Sequence, residues 1–196
     1  MVDLKAEEWY AQSFESHVAA RPPLKRSSLL REFLELALTI IAVYALVNLV
    51  TVRFIVQGPS MESTFYEDDY LIVSRLSYLV TEPEQGDLVV FHFPGDPTQD
   101  YIKRIIGVPG DTVEIRDTRV YVNGDLINEP YIYEPCTSVS CQDETWELGK
   151  DEFFVMGDNR NRSSDSRRFD VPVRREHLIG KVVFRYWPLH KLGVVG

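Results

Sequence analysis

Cysteine is nearly absent from this chain, with two residues, Cys136 and Cys141, among 196. Two thiols without a nearby histidine or a second cysteine pair fall short of the four ligands of a structural zinc site, so no metal is expected. Histidine is scarce too. His17 lies before the first apolar run and His190 near the end, His92 stands between Phe91 and Phe93, and His177 is in a polar stretch. None lies in a motif that supports a serine–histidine–acid triad. Positive charge is in deficit: 21 Lys and Arg stand against 30 Asp and Glu, a formal net charge of -9. That balance excludes a general nucleic-acid binder, which needs Lys and Arg clustered on one face. Internal repeats and low-complexity tracts are also missing.

One long apolar run is present. From about Phe33 to Val52 the chain is predominantly apolar, with Glu35 its one charged residue, near one end, and Asn48 near the other. About twenty residues at helical rise span a bilayer's hydrocarbon core. A buried core helix would show a polar stripe. A cleaved signal segment would be shorter and followed by a small-x-small site. Arg21, Lys25, Arg26 and Arg31 precede the run, whereas Glu62, Glu67, Asp68 and Asp69 follow it. The positive-inside bias then makes residues 1–31 a cytoplasmic tail, 32–52 a single transmembrane helix and 53–196 an extracytoplasmic domain. On that side of the membrane Cys136 and Cys141 favour a disulfide, with free thiols the alternative.

Beyond the anchor, the pattern changes to short β-rich runs: Arg53–Gln57, Tyr70–Arg75, Asp87–Phe93, Tyr101–Val108, Thr112–Arg116, Arg119–Val122, Glu152–Met156 and Gly180–Trp187. Asn123-Gly124 predicts a two-residue hairpin and Pro109-Gly110-Asp111 a tight reversal. Without a βαβ rhythm, the fold expected is mainly β, an antiparallel sheet or partly closed barrel. Residues 129–150, which hold both cysteines, read as a loop-rich insertion.

Three segments carry candidate chemistry. In Gln57-Gly58-Pro59-Ser60-Met61, a serine just past a strand and a glycine can expose both its hydroxyl and its amide on a tight turn. Taken alone, this is ordinary turn composition. In Asp100-Tyr101-Ile102-Lys103-Arg104-Ile105-Ile106, strand alternation puts Tyr101, Lys103 and Ile105 on one face. A lysine between an aromatic and an isoleucine is a candidate for burial, which disfavours the ammonium and makes the amine a usable base. The bland alternative is a lysine that reaches solvent from an edge strand. In the third segment, Gly157 to Arg168, no side chain is apolar. The segment is either a solvated loop or a hydrogen-bonded network beside a site.

In this order, and with Gly86-Asp87-Leu88-Val89-Val90-Phe91 and Gly180-Lys181-Val182-Val183-Phe184-Arg185-Tyr186-Trp187-Pro188, the segments resemble type I signal peptidases. The resemblance runs from the anchor to Pro188. It implies a membrane-bound endopeptidase with Ser60 as nucleophile and Lys103 as general base, and without a cofactor. Ser163 would orient the lysine, Asp165 and Arg167 would form a supporting salt bridge, and Asp158 would join that support. Arg162 stands where members often carry Asn before the lysine-orienting serine, which lets Ser164 compete for the role. Gly58 stands where some members carry a serine that assists the oxyanion hole, leaving the hole to the Ser60 amide and the Gly58 backbone. The implied partners are signal peptides of exported preproteins with small residues, typically Ala, first and third before the cut, together with the lipid bilayer and the export translocase. Two rival readings remain. A self-cleaving repressor-type Ser-Lys protease shares the β architecture but lacks the anchor, and a silent membrane-tethered β module would not need Ser60 and Lys103 together.

Overall fold

The computed structural model describes residues 26–195. Most of the tail expected over residues 1–31, including Arg21 and Lys25, lies outside the described residues. Helix α1 (Arg26–Val50) starts before the apolar run and passes directly into strand β1 (Thr51–Ile55), so the helix ends two residues earlier than expected. Its stretch Leu29–Val50 is long and apolar enough to cross a membrane. At helical rise it is about 33 Å long against a hydrocarbon core of about 30 Å. Phe33, Leu38, Ile41 and Leu46 are exposed on different sides of it. This is the pattern of a helix meant for an apolar surrounding on every face. Glu35, the one acid within the run, takes a 2.7 Å ion pair from Arg31 one turn earlier.

From Leu46 onward the chain forms a second compact unit, which is β-rich. Its strands are β1, β2 (Tyr70–Ser74), β3 (Leu88–Phe93), β4 (Asp96–Gly107), β5 (Thr112–Arg116), β6 (Arg119–Val122), β7 (Asp125–Leu126), β8 (Glu144–Glu147), β9 (Glu152–Met156), β10 (Val173–Arg174), β11 (Leu178–Trp187) and β12 (Gly193–Val194). The larger sheet runs β1-β2-β11-β3-β4-β9-β10 with β12 added to β11; the smaller runs β7-β6-β5-β8. Every pairing is antiparallel. Neither sheet closes, because the end strands β1 and β10 do not pair with each other. The mainly β, antiparallel expectation holds, and the sheets form no closed barrel.

Strand β3 explains why the large sheet is so well buried. Its apolar run has no alternation, and its side chains enter two cores: Leu88 and Val90 join Val56, Met61, Phe65, Leu71 and Ile102, while Val89 and Phe91 join Ile105, Phe153 and Val155 on the other face. A third cluster, with Ile106, Phe154 and Met156 against Val113, Ile115 and Val120, connects the two sheets. The expected Asn123-Gly124 hairpin joins β6 to β7, with φ of 53° and 87° at its two residues. Both lie in the left-handed region that this turn requires.

The region 129–150 is not all loop. Its last part forms β8, which extends the small sheet by pairing with β5. Cys136 and Cys141 are disulfide-bonded, and Cys141 is 1% exposed in the core between the sheets. The bridge therefore anchors its loop to the core.

Candidate active site

The turn carrying Ser60 is fixed on both sides. Before it, Val56 exchanges backbone hydrogen bonds with the 68–69 segment, donating to the Asp69 carbonyl (2.9 Å) and accepting from the Asp68 amide (3.1 Å). Gly58 then takes a φ of 75°, and a Cβ there would meet open space, so backbone conformation selects glycine at this position. After Ser60, the fully buried Met61 and Phe65 pin the chain to the core. The Phe65 amide donates to the Met61 carbonyl (2.8 Å), and Arg185 clamps the Thr64 carbonyl (3.0 Å) and Asp69 (3.1 Å). The Ser60 carbonyl accepts the Asn159 amide at 3.1 Å, which ties this turn to the 157–168 loop. Among the described residues, no protein acceptor takes the Ser60 amide, which leaves that donor free for a developing oxyanion.

Lys103 sits on β4 opposite Val89. Its neighbours bear out the strand alternation: Tyr101 and Ile105 pack into one cluster and Ile102 into another. Only 4% of the lysine is exposed. Its amine donates to Ser60 Oγ at 2.8 Å and to the Ile102 carbonyl at 2.8 Å, and lies 5.3 Å from the Tyr101 ring centre. Burial pushes its pKa down to about 8, the nearby Asp165 and Asp158 carboxylates oppose that change, and the Arg167 charge adds to it. Lys103 is thus a buried amine hydrogen-bonded to a serine hydroxyl and able to lose its proton near neutrality.

The acids beside Lys103 are held in two separate ion pairs. Asp165, fully buried, faces Arg167 through two 2.7 Å contacts and accepts the Gly157 amide at 3.0 Å. Burial alone would raise its pKa, but the hydrogen bonds and charge of Arg167, with the Gly157 amide, hold the carboxyl below its ordinary value. Asp158 does not join this pair. Its partner is Arg104 at 2.9 and 2.8 Å, and Thr64 donates to it at 2.5 Å. Arg104 also donates to the Gly86 carbonyl and lies over the Tyr131 ring. Strand alternation puts Arg104 on the opposite face of β4 from Lys103. A buried arginine on an alternating strand is a signal that it needs a carboxylate, but not of which one.

Ser163 is buried and hydrogen-bonds neither to Lys103 nor to any other group at ordinary geometry; it lends only a minor stabilisation to the Asp165 carboxylate. Ser164 instead lines the cleft described below. Gly157, which drew attention only as the start of a polar segment, is the contact point of the whole arrangement. A Cβ there would overlap both the Ser60 carbonyl and Ser163 Oγ. Among the described histidines, none contacts Ser60; His92 pairs with Asp100 at 2.7 Å and His177 accepts the Arg174 amide.

Ser60 and Lys103 lie in a cleft of about 670 Å³ walled on one side by Phe54, Ile55 and Gln57 and on the other by Thr98 to Ile102. Among the described residues, strand β1 pairs only with β2, and β4 pairs with β9 only from Arg104 onward. Each wall therefore has an unpaired backbone edge, a ready template for an extended peptide.

Comparison with known proteins gives the family of the chain. The family described as signal peptidase, peptidase S26, matches residues 30–187. A signal peptidase I of Leptolyngbya laminosa is 34% identical over 189 residues, covering 91% of this chain and 89% of that protein. Signal peptidase IB of Staphylococcus aureus is 29% identical over 178 residues, covering 83% of this chain and 92% of that protein. The crystal structure of a signal peptidase I from Enterococcus faecalis is 32% identical, with a TM-score of 0.46 over 52% of this chain and 97% of that one. The chain belongs to the signal peptidase S26 family. It is a peptidase with an apolar helix suited to membrane anchoring at its N-terminal end.

Proposed function

We propose that this chain is a serine endopeptidase that removes N-terminal signal peptides from exported preproteins by a Ser60–Lys103 dyad. The observation that carries the reading is the 2.8 Å hydrogen bond between a 4% exposed lysine amine and a serine hydroxyl in a cleft with two open strand edges. A peptide laid between those edges alternates its side chains, so the first and third residues before the cut point to the same face of the extended sheet. The family resemblance gives these as small residues of the Ala-x-Ala type.

Neutral Lys103 takes the hydroxyl proton as Ser60 attacks the scissile carbonyl. The oxyanion receives the free Ser60 amide, and Gly58 gives it close access through a backbone without a side chain. The lysine then passes its proton to the leaving amine, and an acyl-enzyme remains on Ser60. Neutral again, Lys103 activates the water that releases the product. The family resemblance gives Ser163 the role of orienting the amine, although its buried hydroxyl makes no hydrogen bond to Lys103 in this structure. Asp165 with Arg167 and Asp158 with Arg104 fix the surrounding loop.

In the membrane arrangement we propose, the tail over residues 1–31 is cytoplasmic, the helix crosses the cell membrane once and the β-rich unit works on the extracytoplasmic side near the export translocase. Purified full-length protein in vesicles should cut a preprotein with an Ala-x-Ala site, and Ser60→Ala should abolish the cut while His92→Ala leaves it largely intact. Unchanged cleavage by Ser60→Ala, or loss with His92→Ala alone, would remove the dyad from the account.

A further inference from the structure

Among the described residues Arg160 is the largest fully buried side chain, with 2% exposure, and the reaction above does not use it. A buried guanidinium is costly unless every donor is directed, and even a well-paired buried ion pair contributes little net stability. Its contacts run toward the nucleophile. Arg160 grips both carboxylate oxygens of Glu129, at 3.0 Å through Nη1 and by a short contact through Nη2. From the same fork, Nε donates to the Gly157 carbonyl at 3.1 Å. The Arg160 carbonyl in turn accepts from Arg167 at 2.9 Å. Gly157 is thereby held from two sides, at its amide by Asp165 and at its carbonyl by Arg160. This is the residue that lies against the Ser60 carbonyl and Ser163.

Glu129 is itself fixed near the nucleophile. Tyr131 donates its hydroxyl to Glu129 at 3.2 Å, and the Tyr131 carbonyl accepts Ser63 Oγ at 2.6 Å, three residues after Ser60. The Glu129–Tyr131 segment and the 157–160 loop both reach the Ser60 turn, and the Glu129–Arg160 pair joins them beside the backbone bond from the Tyr133 amide to the Asp158 carbonyl at 3.0 Å.

We propose that Glu129 and Arg160 form a positioning pair for the peptidase reaction, holding Gly157 so that Ser60 Oγ stays in line with the Lys103 amine. The proposal rests on the dyad reading given above. A lysine at position 160 keeps the charge but cannot direct a planar fork at Glu129 and Gly157 together. Glutamine at position 129 keeps the shape and one acceptor oxygen but removes the charge that balances the buried guanidinium.

Full-length Arg160→Lys and Glu129→Gln, assayed on an Ala-x-Ala peptide with the melting temperature recorded alongside, separate positioning from plain support. The pair predicts that kcat falls at least tenfold in Arg160→Lys while KM stays within about twofold, since misalignment at the reacting atoms acts on the chemical step. It also predicts that the ascending limb of the pH profile moves upward, because a looser 157–160 loop readmits water to Lys103. Glu129→Gln should show the same pattern in weaker form, and its effect should not add fully to that of Arg160→Lys. A lower melting temperature with kcat and the pH limb unchanged would overturn the proposal. If Arg160→Lys fails to fold, an unchanged kcat and pH limb in Glu129→Gln overturns it equally. If the wild-type protein cuts and both variants cut alike, only the pair is refuted. If the wild-type protein does not cut, the dyad reading fails and the pair falls with it.

Discussion

Lys103→Met is expected to lose about 10³-fold or more of the cleavage rate while producing a protein at least as stable as the parent at neutral pH. The two effects share one cause. Burial lowers the lysine pKa from 10.5 to about 8, and each tenfold change in a protonation equilibrium corresponds to about 1.4 kcal/mol. Below pH 8 the amine is charged in both folded and unfolded chains, so the folded protein carries the full penalty of the buried ammonium, about 3 kcal/mol. Between pH 8 and 10.5 the unfolded chain still binds a proton that the folded chain has released, so the penalty shrinks as pH rises and is gone above 10.5. Methionine fills similar space without charge and removes that cost. Against it, the Ile102 carbonyl loses a donor, which offsets part of the gain. Thermal unfolding at pH 7 and pH 10 is the check: the advantage of Lys103→Met should be largest at pH 7 and fade by pH 10. Lys103→Arg should be as inactive as Lys103→Met, because a guanidinium keeps its proton throughout this range.

Gly157→Ala should lower kcat by about 10²-fold although it adds one methyl group and removes no functional group. The added Cβ would overlap the Ser60 carbonyl and Ser163 Oγ. The backbone cannot retreat easily, since Asp165 holds its amide and Arg160 its carbonyl. The strain passes to the Ser60 turn or to Ser163, and crowding of this kind costs about 1–3 kcal/mol of stability as well. Gly193→Ala is the matching control, because a Cβ there meets nothing within 4 Å; it should leave both kcat and melting temperature near the parent values. A Gly157→Ala protein with parental kcat would show that the contact between the 157–160 loop and the nucleophile turn is incidental.

The parts of this structure legible in the sequence are those whose cause is local. Strands β5, β6 and β9 begin and end where their apolar patterns do, and the Asn123-Gly124 turn forms because those two residues tolerate positive φ. The burial of Lys103 could be read from Tyr101 and Ile105 flanking it on one strand face. What escaped the sequence depends on pairings between distant segments. Strand β8 has only four residues and exists because β5 offers it an edge, so nothing in Glu144–Glu147 marks it in isolation. Strand β4 reaches back to Asp96, through Pro97, because only its β3 side is paired there. Arg104 finds Asp158 and Arg160 finds Glu129 across separations of 54 and 31 residues. Those choices are made by the register of β4 against β9 and by the path of the 129–134 segment, and local periodicity carries neither. The role of Ser163 came from resemblance alone, and its hydroxyl stands near the acid Asp165 without a hydrogen bond to Lys103.

The central claim is that Lys103 works as a neutral amine with Ser60 as its hydrogen-bonded nucleophile. It is tested most directly by the pH dependence of kcat/KM on an Ala-x-Ala substrate, which reports the titration of the free enzyme's essential base. Activity should rise with pH through a limb near 8, where the buried amine loses its proton. A limb near 10, the value of an ordinary exposed lysine, or one near 6.5, the value of a histidine, would contradict the claim.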